Sequence, residues 1–241
     1  MKKIFLCFIL FFTIPLGYCQ QIIGLNGLLN TPSAFMKADG TFMVGANYLP
    51  REVSAKVFDY NTINYYLDLT FLPFLEVNYK MTLFQMEEGK YTNQDRSFAV
   101  RLQLLKEKKY RPALLIGGND ILTTNKANTN KIISTSNSGN QYFGNVYVVL
   151  SKNIPIRKSK FITNLGYYSD LFSKGQSKGV FGAIGFAPGF YSDMNIILEY
   201  DSRVWNIGST AVLFKHLSLT VFLYEFRYLT GGLAYQFVIP H

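Results

Sequence analysis

Glu199 and Asp201 are the residues in this sequence whose spacing most resembles a catalytic pair. They lie two positions apart on a predicted strand, so their side chains share one face. Paired carboxylates can cleave a glycosidic bond by acid and base catalysis. The surrounding sequence lacks the other groups of such a centre, so we favour a lining role for the pair over catalysis. Six more charged residues share this type of position: Asp68, Glu76, Lys80, Arg101, Asp120 and Arg203.

Other chemistry-bearing residues are scarce. His216 falls in a predicted turn and His241 at the end of the sequence, while Cys7 and Cys19 both lie in a predicted signal peptide. No remaining set of residues has the spacing of a metal site, and no glycine-rich loop precedes a helix. The sequence therefore predicts a protein that is not an enzyme and that carries no metal or cofactor.

The charged residues belong to segments in which apolar and polar side chains alternate. In segment 74–84, Glu76, Asn78, Lys80 and Thr82 oppose a face of apolar residues, and segments 62–70 and 96–105 repeat the pattern. Alternation with period two is typical of a strand with one polar and one apolar face. A soluble β-sandwich has the same period, so the connections must decide between it and a transmembrane barrel facing lipid and a wet lumen.

The connections favour the barrel. Long polar loops at about 50–61, 85–95, 120–140 and 170–177 alternate with short turns near 72–73, 107–108, 155–156, 188–189 and 215. This contrast between long and short connections is typical of bacterial outer-membrane barrels, and it places both termini in the periplasm. We therefore predict an all-β fold, a single transmembrane antiparallel β-barrel of about twelve strands with a short non-strand N-terminal segment.

The chain divides into three regions. Residues 1–19, with Lys2 and Lys3 before an apolar stretch, predict a secretory signal peptide; acylation of Cys19 is the alternative to ordinary cleavage. Residues 20–40 are rich in turn formers, and we interpret them as a periplasmic or lumen-inserted segment, with a disordered linker as the equal alternative. Residues 41–241 form the barrel, located in the outer membrane.

Aromatic and basic residues indicate the surroundings of this barrel. Aromatic side chains gather at the strand ends, where they suit lipid head groups. The last strand ends in Leu233, Tyr235 and Phe237, which resembles the signal read by the barrel-assembly machinery. Basic clusters at 106–111 and 157–160 fall at predicted periplasmic turns, where they contact lipid head groups, an acidic partner or only solvent; nucleic acid is excluded as a partner by secretion.

The eight charged residues should line the lumen, since charges rarely face lipid. They would form either a polar path that binds a hydroxyl-rich chain or a set of ion pairs that fills a modest barrel.

Four short blocks stand out along the sequence: Asn30-Thr31-Pro32-Ser33-Ala34 with Ala38-Asp39-Gly40, residues 111–120, Gly179-Val180-Phe181-Gly182, and residues 198–201 with 206–208. In this order they resemble the YjbH family. The resemblance implies an outer-membrane barrel that serves surface exopolysaccharide or capsule, with the polysaccharide and periplasmic export proteins as partners. Three functions follow as hypotheses: a non-enzymatic accessory in polysaccharide export or assembly, a small-solute channel, and a structural barrel with a closed lumen.

Overall fold

The computed structural model describes residues 21–54, 58–123, 142–169 and 177–239. Within these ranges, twelve antiparallel strands close into one barrel, in which each strand pairs with its chain neighbours and β1 pairs with β12. The predicted fold class is therefore confirmed. The strands are β1 Thr41–Leu49, β2 Thr62–Thr70, β3 Leu75–Glu87, β4 Lys90–Leu105, β5 Ala113–Thr123, β6 Asn145–Ile156, β7 Ser159–Ser169, β8 Gly179–Ala187, β9 Met194–Tyr200, β10 Trp205–Leu213, β11 Leu217–Tyr224 and β12 Tyr228–Val238.

The alternation of the sequence becomes the two faces of the wall. In β2, the side chains of Asn64, Tyr66 and Asp68 are buried inside, while Ile63 and Leu67 are exposed outside. Exposed apolar side chains recur around the outer surface, as an outer-membrane-type barrel requires. No helix in the described residues is long and apolar enough to cross a membrane.

Inward-facing glycines make room for large aromatic rings on the neighbouring strand. Gly117 pairs with Tyr147 across β5 and β6, and a Cβ atom at Gly117 would lie 2.5 Å from Tyr147 Cζ. Such close approach explains why glycine stands in the interior of a strand, where it otherwise weakens the sheet. Four cross-strand pairs share this arrangement: Gly45 with Tyr66, Gly117 with Tyr147, Gly166 with Phe181, and Gly208 with Phe222.

The prediction of a long loop at 85–95 is wrong. β3 continues to Glu87 and β4 begins at Lys90, so a tight turn at Gly89 (φ 74°) joins them. Tyr91 braces this extension by donating a hydrogen bond from its Oη to the carbonyl of Asn61 (2.7 Å). Polar side chains misled the prediction because residues 87–90 are exposed to solvent, and a strand pair exposed to water on both faces needs no apolar face.

Two further differences concern the connections. The turn predicted near 155–156 lies at 157–158, because β6 runs on to Ile156. The predicted signal peptide and most of the loops predicted at 120–140 and 170–177 lie outside the described residues. The chain connections of the described part put the first residue of β1 and the last of β12 at the same end of the barrel, together with the turns at 71–74, 106–112, 157–158, 188–193 and 214–216. We call it the termini end and the opposite one the loop end.

Candidate functional site

Residues 21–37, which we call the plug, lie inside the barrel. Ile22, Leu25 and Leu29 are at most 1% exposed, although they precede the first wall strand. Backbone hydrogen bonds fold the plug on itself, from Gln21 N to Leu25 O (2.7 Å) and from Leu28 N to Thr31 O (2.9 Å). The turn formers of this segment therefore build a compact insert, and its contacts with the wall form the candidate functional site.

Glu199 holds one turn of the plug. Its carboxylate accepts hydrogen bonds from the backbone N–H groups of Leu29 (3.1 Å), Asn30 (2.6 Å) and Thr31 (3.2 Å), and from Thr31 Oγ1 (2.9 Å). Three successive N–H groups around one anion form a nest, in which partial positive charges converge on the carboxylate. Asp201 accepts a further hydrogen bond from Asn30 Nδ2 (2.7 Å). The carboxylate pair thus binds the plug.

Arg101 and Glu76 hold the other side of the plug. Arg101 Nη1 donates to both oxygens of Glu76, at 2.8 and 2.7 Å, and both side chains are fully buried. Arg101 Nη2 donates to the carbonyls of Ser33 and Phe35, and Glu76 accepts from Asn26 N (3.1 Å). A buried ion pair needs such additional hydrogen bonds to offset its desolvation.

Carboxamide side chains complete the polar contacts between wall and plug. Sequence reasoning did not select them as site residues, although Asn78 shares the inward face of Glu76 and Lys80, and Gln103 that of Arg101. Position on the same face of a strand as a lumenal charge was the available signal. Each donates to a plug carbonyl: Asn47 (2.7 Å) and Asn64 (2.8 Å) to Ile22, Asn78 (3.0 Å) to Gly24, Asn164 (3.0 Å) to Pro32, and Gln103 (2.6 Å) to Ala34.

The alternation predicted a wet lumen, but part of the inner wall is apolar. Strands β2–β4 present mainly polar side chains inward, whereas β5–β9 present buried apolar side chains between polar ones such as Ser151, Asn164 and Glu199. Leu28, Leu29 and Phe35 of the plug belong to the same core cluster as this surface. The polar expectation was incomplete for β5–β9, because an apolar insert needs apolar partners on the wall and the wall pattern alone does not reveal the insert. The apolar wall residues include Leu115, Val149, Ile162, Ala183 and Ile197.

The remaining charged residues lie nearer the loop end, except Asp68. Asp68 is buried on β2, and neither of its carboxylate oxygens has a hydrogen-bond partner within the described ranges. Lys80 Nζ sits 4.0 Å from the centre of the Phe143 ring, and Asp120 accepts from Phe143 N (3.1 Å). Arg203 Nη2 lies 3.9 Å from Asp201 Oδ2. Two ion pairs, Glu76–Arg101 and Asp201–Arg203, thus join members of the set.

An aromatic cap covers the plug at the loop end. Phe58 is fully buried, and its ring centre lies 5.5 Å from those of Phe84 and Tyr142 and 5.9 Å from that of Phe143. Between plug and cap lies a cavity of about 40 Å³, lined in part by Ile22 and Tyr142. A space of this size is large enough for a few water molecules.

Metal and histidine chemistry finds little support in the described part of the chain. No three His, Cys, Asp or Glu side chains there come together as a metal site. His216 lies in a turn at the termini end, where its Nδ1 is 2.9 Å from the carbonyl of Gln236 and its ring stacks on Tyr235. It lies far along the wall from the Glu199 site, since β11 begins at the end opposite to the one where β9 finishes.

Comparisons with known proteins bear on the family and the fold. The model of the YjbH family, described as exopolysaccharide biosynthesis protein YbjH, matches residues 19–210, well over half of the chain. A search of curated proteins found no match. Among solved structures, the outer membrane phospholipase A from Escherichia coli is similar over 83% of this chain and 92% of its own, at 9% sequence identity and a TM-score of 0.36.

Proposed function

The chain belongs to the YjbH family of exopolysaccharide biosynthesis proteins, and we propose that it is a non-enzymatic accessory in export or assembly of a surface polysaccharide. It works as an outer-membrane barrel whose termini face the periplasm. The exposed apolar belt supports this location, as do the connections after β1, β5 and β7, which are longer than the turns at the termini end.

The plug is the observation that carries the proposal. Glu76, Arg101, Glu199 and the lumenal carboxamides bind its backbone, so these groups are not free to line a solute path. A barrel held closed in this way is unsuited to steady diffusion of small solutes. The same observation favours the second candidate, a structural barrel with a permanently closed lumen.

The chemistry of the plug contacts favours a role with polysaccharide over a purely structural one. Carboxylate and carboxamide groups that bind backbone N–H and C=O groups also bind sugar hydroxyls, which both donate and accept. Displacement of the plug would expose Glu76, Asn78, Arg101 and Glu199 along the inner wall. An accessory that engages a hydroxyl-rich chain only after the plug moves fits both the closed state and the family.

Two features support a non-enzymatic role. The Glu199 carboxylate is surrounded by plug N–H groups, so it has no room for a substrate in this state. His216 stands in a turn against the Gln236 carbonyl. The hydroxyl that Glu199 contacts, Thr31 Oγ1, is fully buried in the plug, where a substrate cannot reach it.

The test is a chromosomal deletion in the native host, complemented with the wild type and with Ala34→Cys/Ser151→Cys. These positions join plug to wall, since Ala34 N donates to Ser151 Oγ (2.6 Å). An accessory with a movable plug loses surface polysaccharide on deletion, regains it with the wild type, and regains it with the double variant only under reducing conditions. Normal polysaccharide in the deletion strain contradicts the proposal.

The two candidate functions separate in the same strains. A structural barrel predicts leakage of periplasmic enzymes on deletion with unchanged polysaccharide, and full rescue by the oxidised double variant. Surface hexose content and periplasmic enzyme release are the two measurements.

A further inference from the structure

Two neighbouring connections at the termini end are joined into one projecting unit, which we call the basic lobe, residues 106–111 and 152–160. Asn153 donates from its backbone N–H (2.8 Å) and its Nδ2 (2.7 Å) to the two oxygens of Glu107. Lys152 Nζ lies 3.0 Å from Glu107 Oε1. Glu107 is the only acidic residue in these two ranges. Its carboxylate is bound by Lys152 and Asn153 within the lobe.

The lobe carries an excess of exposed positive charge. Connections at the loop end mix both signs, as in Arg51 beside Glu52 (2.8 Å) and Lys90 beside Glu87 (2.6 Å). Among the connections that the structure describes, the excess of positive charge is thus found at the termini end. Six cations of the lobe are exposed to solvent: Lys106, Lys108, Lys109, Arg111, Arg157 and Lys158.

The apolar outer surface of the barrel lies directly beside the basic lobe. Ile154 and Ile156 are exposed on β6, close in sequence to Arg157, with which the turn begins. Tyr110, whose ring lies 5.2 Å below Lys109 Nζ, is 88% exposed, and Phe190 and Phe214 at the same end are exposed to a similar degree. Exposed rings beside cations at the edge of an apolar belt mark the level of lipid head groups.

We propose that the basic lobe binds the phosphate groups of anionic phospholipids in the leaflet at the termini end. The inference depends on the membrane location in the proposed function, but not on any role with polysaccharide. Lipid is favoured over an acidic protein because the cations lie next to the apolar outer surface. The phosphate of a bound phospholipid can contact the cations while its acyl chains contact Ile154 and Ile156. The binding would fix the depth and tilt of the barrel on this side.

The experiment measures lipid binding to the purified barrel in detergent by native mass spectrometry. Phosphatidylglycerol and the zwitterionic phosphatidylethanolamine are titrated against the wild type, the lobe variant Lys108→Gln/Arg157→Gln/Lys158→Gln, and the matched control Arg51→Gln/Lys90→Gln/Arg227→Gln. We expect the wild type to bind phosphatidylglycerol at least tenfold more tightly than phosphatidylethanolamine. The lobe variant loses most of that preference, and the control stays within twofold of the wild type. Raising the ionic strength weakens the preference, because exposed charges are screened.

Three outcomes overturn the inference: equal binding of both lipids by the wild type, equal loss in the lobe and control variants, or tight binding of soluble polyglutamate through the lobe without any lipid preference. The last result assigns the lobe to an acidic protein. Heat-modifiable migration on gels verifies that the variants are folded; if the lobe variant does not fold, the lipid and salt dependence of the wild type decides. Failure of the polysaccharide test leaves this lipid measurement unaffected.

Discussion

Arg101 and Glu76 face each other across β3 and β4, and the pair fastens the plug through both of its members. The guanidinium binds Glu76 with one nitrogen and the Ser33 and Phe35 carbonyls with the other, while Glu76 also accepts from Asn26. Wall and plug thus share one buried network. Such a network links the stability of the barrel to the presence of the plug.

Breaking this pair from one side should be costly. Arg101→Met leaves the Glu76 carboxylate buried without its cation, and loss of one partner of a buried pair lowers the free energy of unfolding by about 3–5 kcal/mol. The double variant Arg101→Met/Glu76→Met removes the unpaired charge and should recover part of the loss, since the plug backbone groups that the pair binds remain without partners. Urea unfolding in lipid vesicles measures both values. Equal destabilisation by the single and double variants would show that the pair does not act as a unit.

Glu199→Gln should loosen the plug without opening the wall. The carboxamide keeps one acceptor but turns an NH₂ group toward donors, and a hydrogen bond to a charged group contributes about 1.5–3 kcal/mol. Hydrogen exchange at Leu29, Asn30 and Thr31 should become faster by about tenfold or more, as a loss of 1.4 kcal/mol or more requires. Exchange in β11 and the matched variant Glu88→Gln, on an exposed turn, should match the wild type. Unchanged exchange of the plug amides contradicts the role of Glu199.

The strands were the predictable part of this molecule. Strand β2 has the bounds 62–70 that alternation predicted, because the two faces of a barrel wall impose opposite demands on successive side chains. The hairpin of β3 and β4 was underestimated, since its outer part lies in water and carries no such pattern. Alternation of apolar and polar residues therefore predicts only the part of a strand whose outer face is apolar.

The site was less predictable, because it depends on an insert that has no periodic pattern. Charged residues such as Glu199 and Arg101 could be selected because they lie on the polar face of an alternating strand. Their partners are backbone groups of the plug, which could not be selected because every residue has a backbone. Asn47 and Asn164 carried no signal beyond their position on the inward face. The apolar character of β5–β9 was also visible in the sequence, yet only the plug explains it.

Gly117→Ala should strain the wall against Tyr147. A methyl group there would lie 2.5 Å from Tyr147 Cζ and Oη, and overpacking of this kind costs about 1–3 kcal/mol in the free energy of unfolding. Tyr147→Leu in the same chain should relieve the contact. The double variant should therefore lose less free energy of unfolding than the two single variants lose together. Thermal unfolding in detergent provides the comparison. Strict additivity would mean that the two side chains do not compete for the same space.

Deletion of residues 20–38 should leave a barrel that conducts. The ladder of the wall closes through β1 and β12 without using the plug, so the backbone hydrogen bonds of the strands remain satisfied. Stability should fall, because Leu115, Ile162 and Ile197 lose the apolar partners that now cover them. In planar bilayers the intact protein should be silent and the deleted form should show a steady open conductance. The oxidised Ala34→Cys/Ser151→Cys variant is the control and should remain silent. A folded deletion variant without increased conductance would contradict the assignment of the plug as the element that closes the lumen.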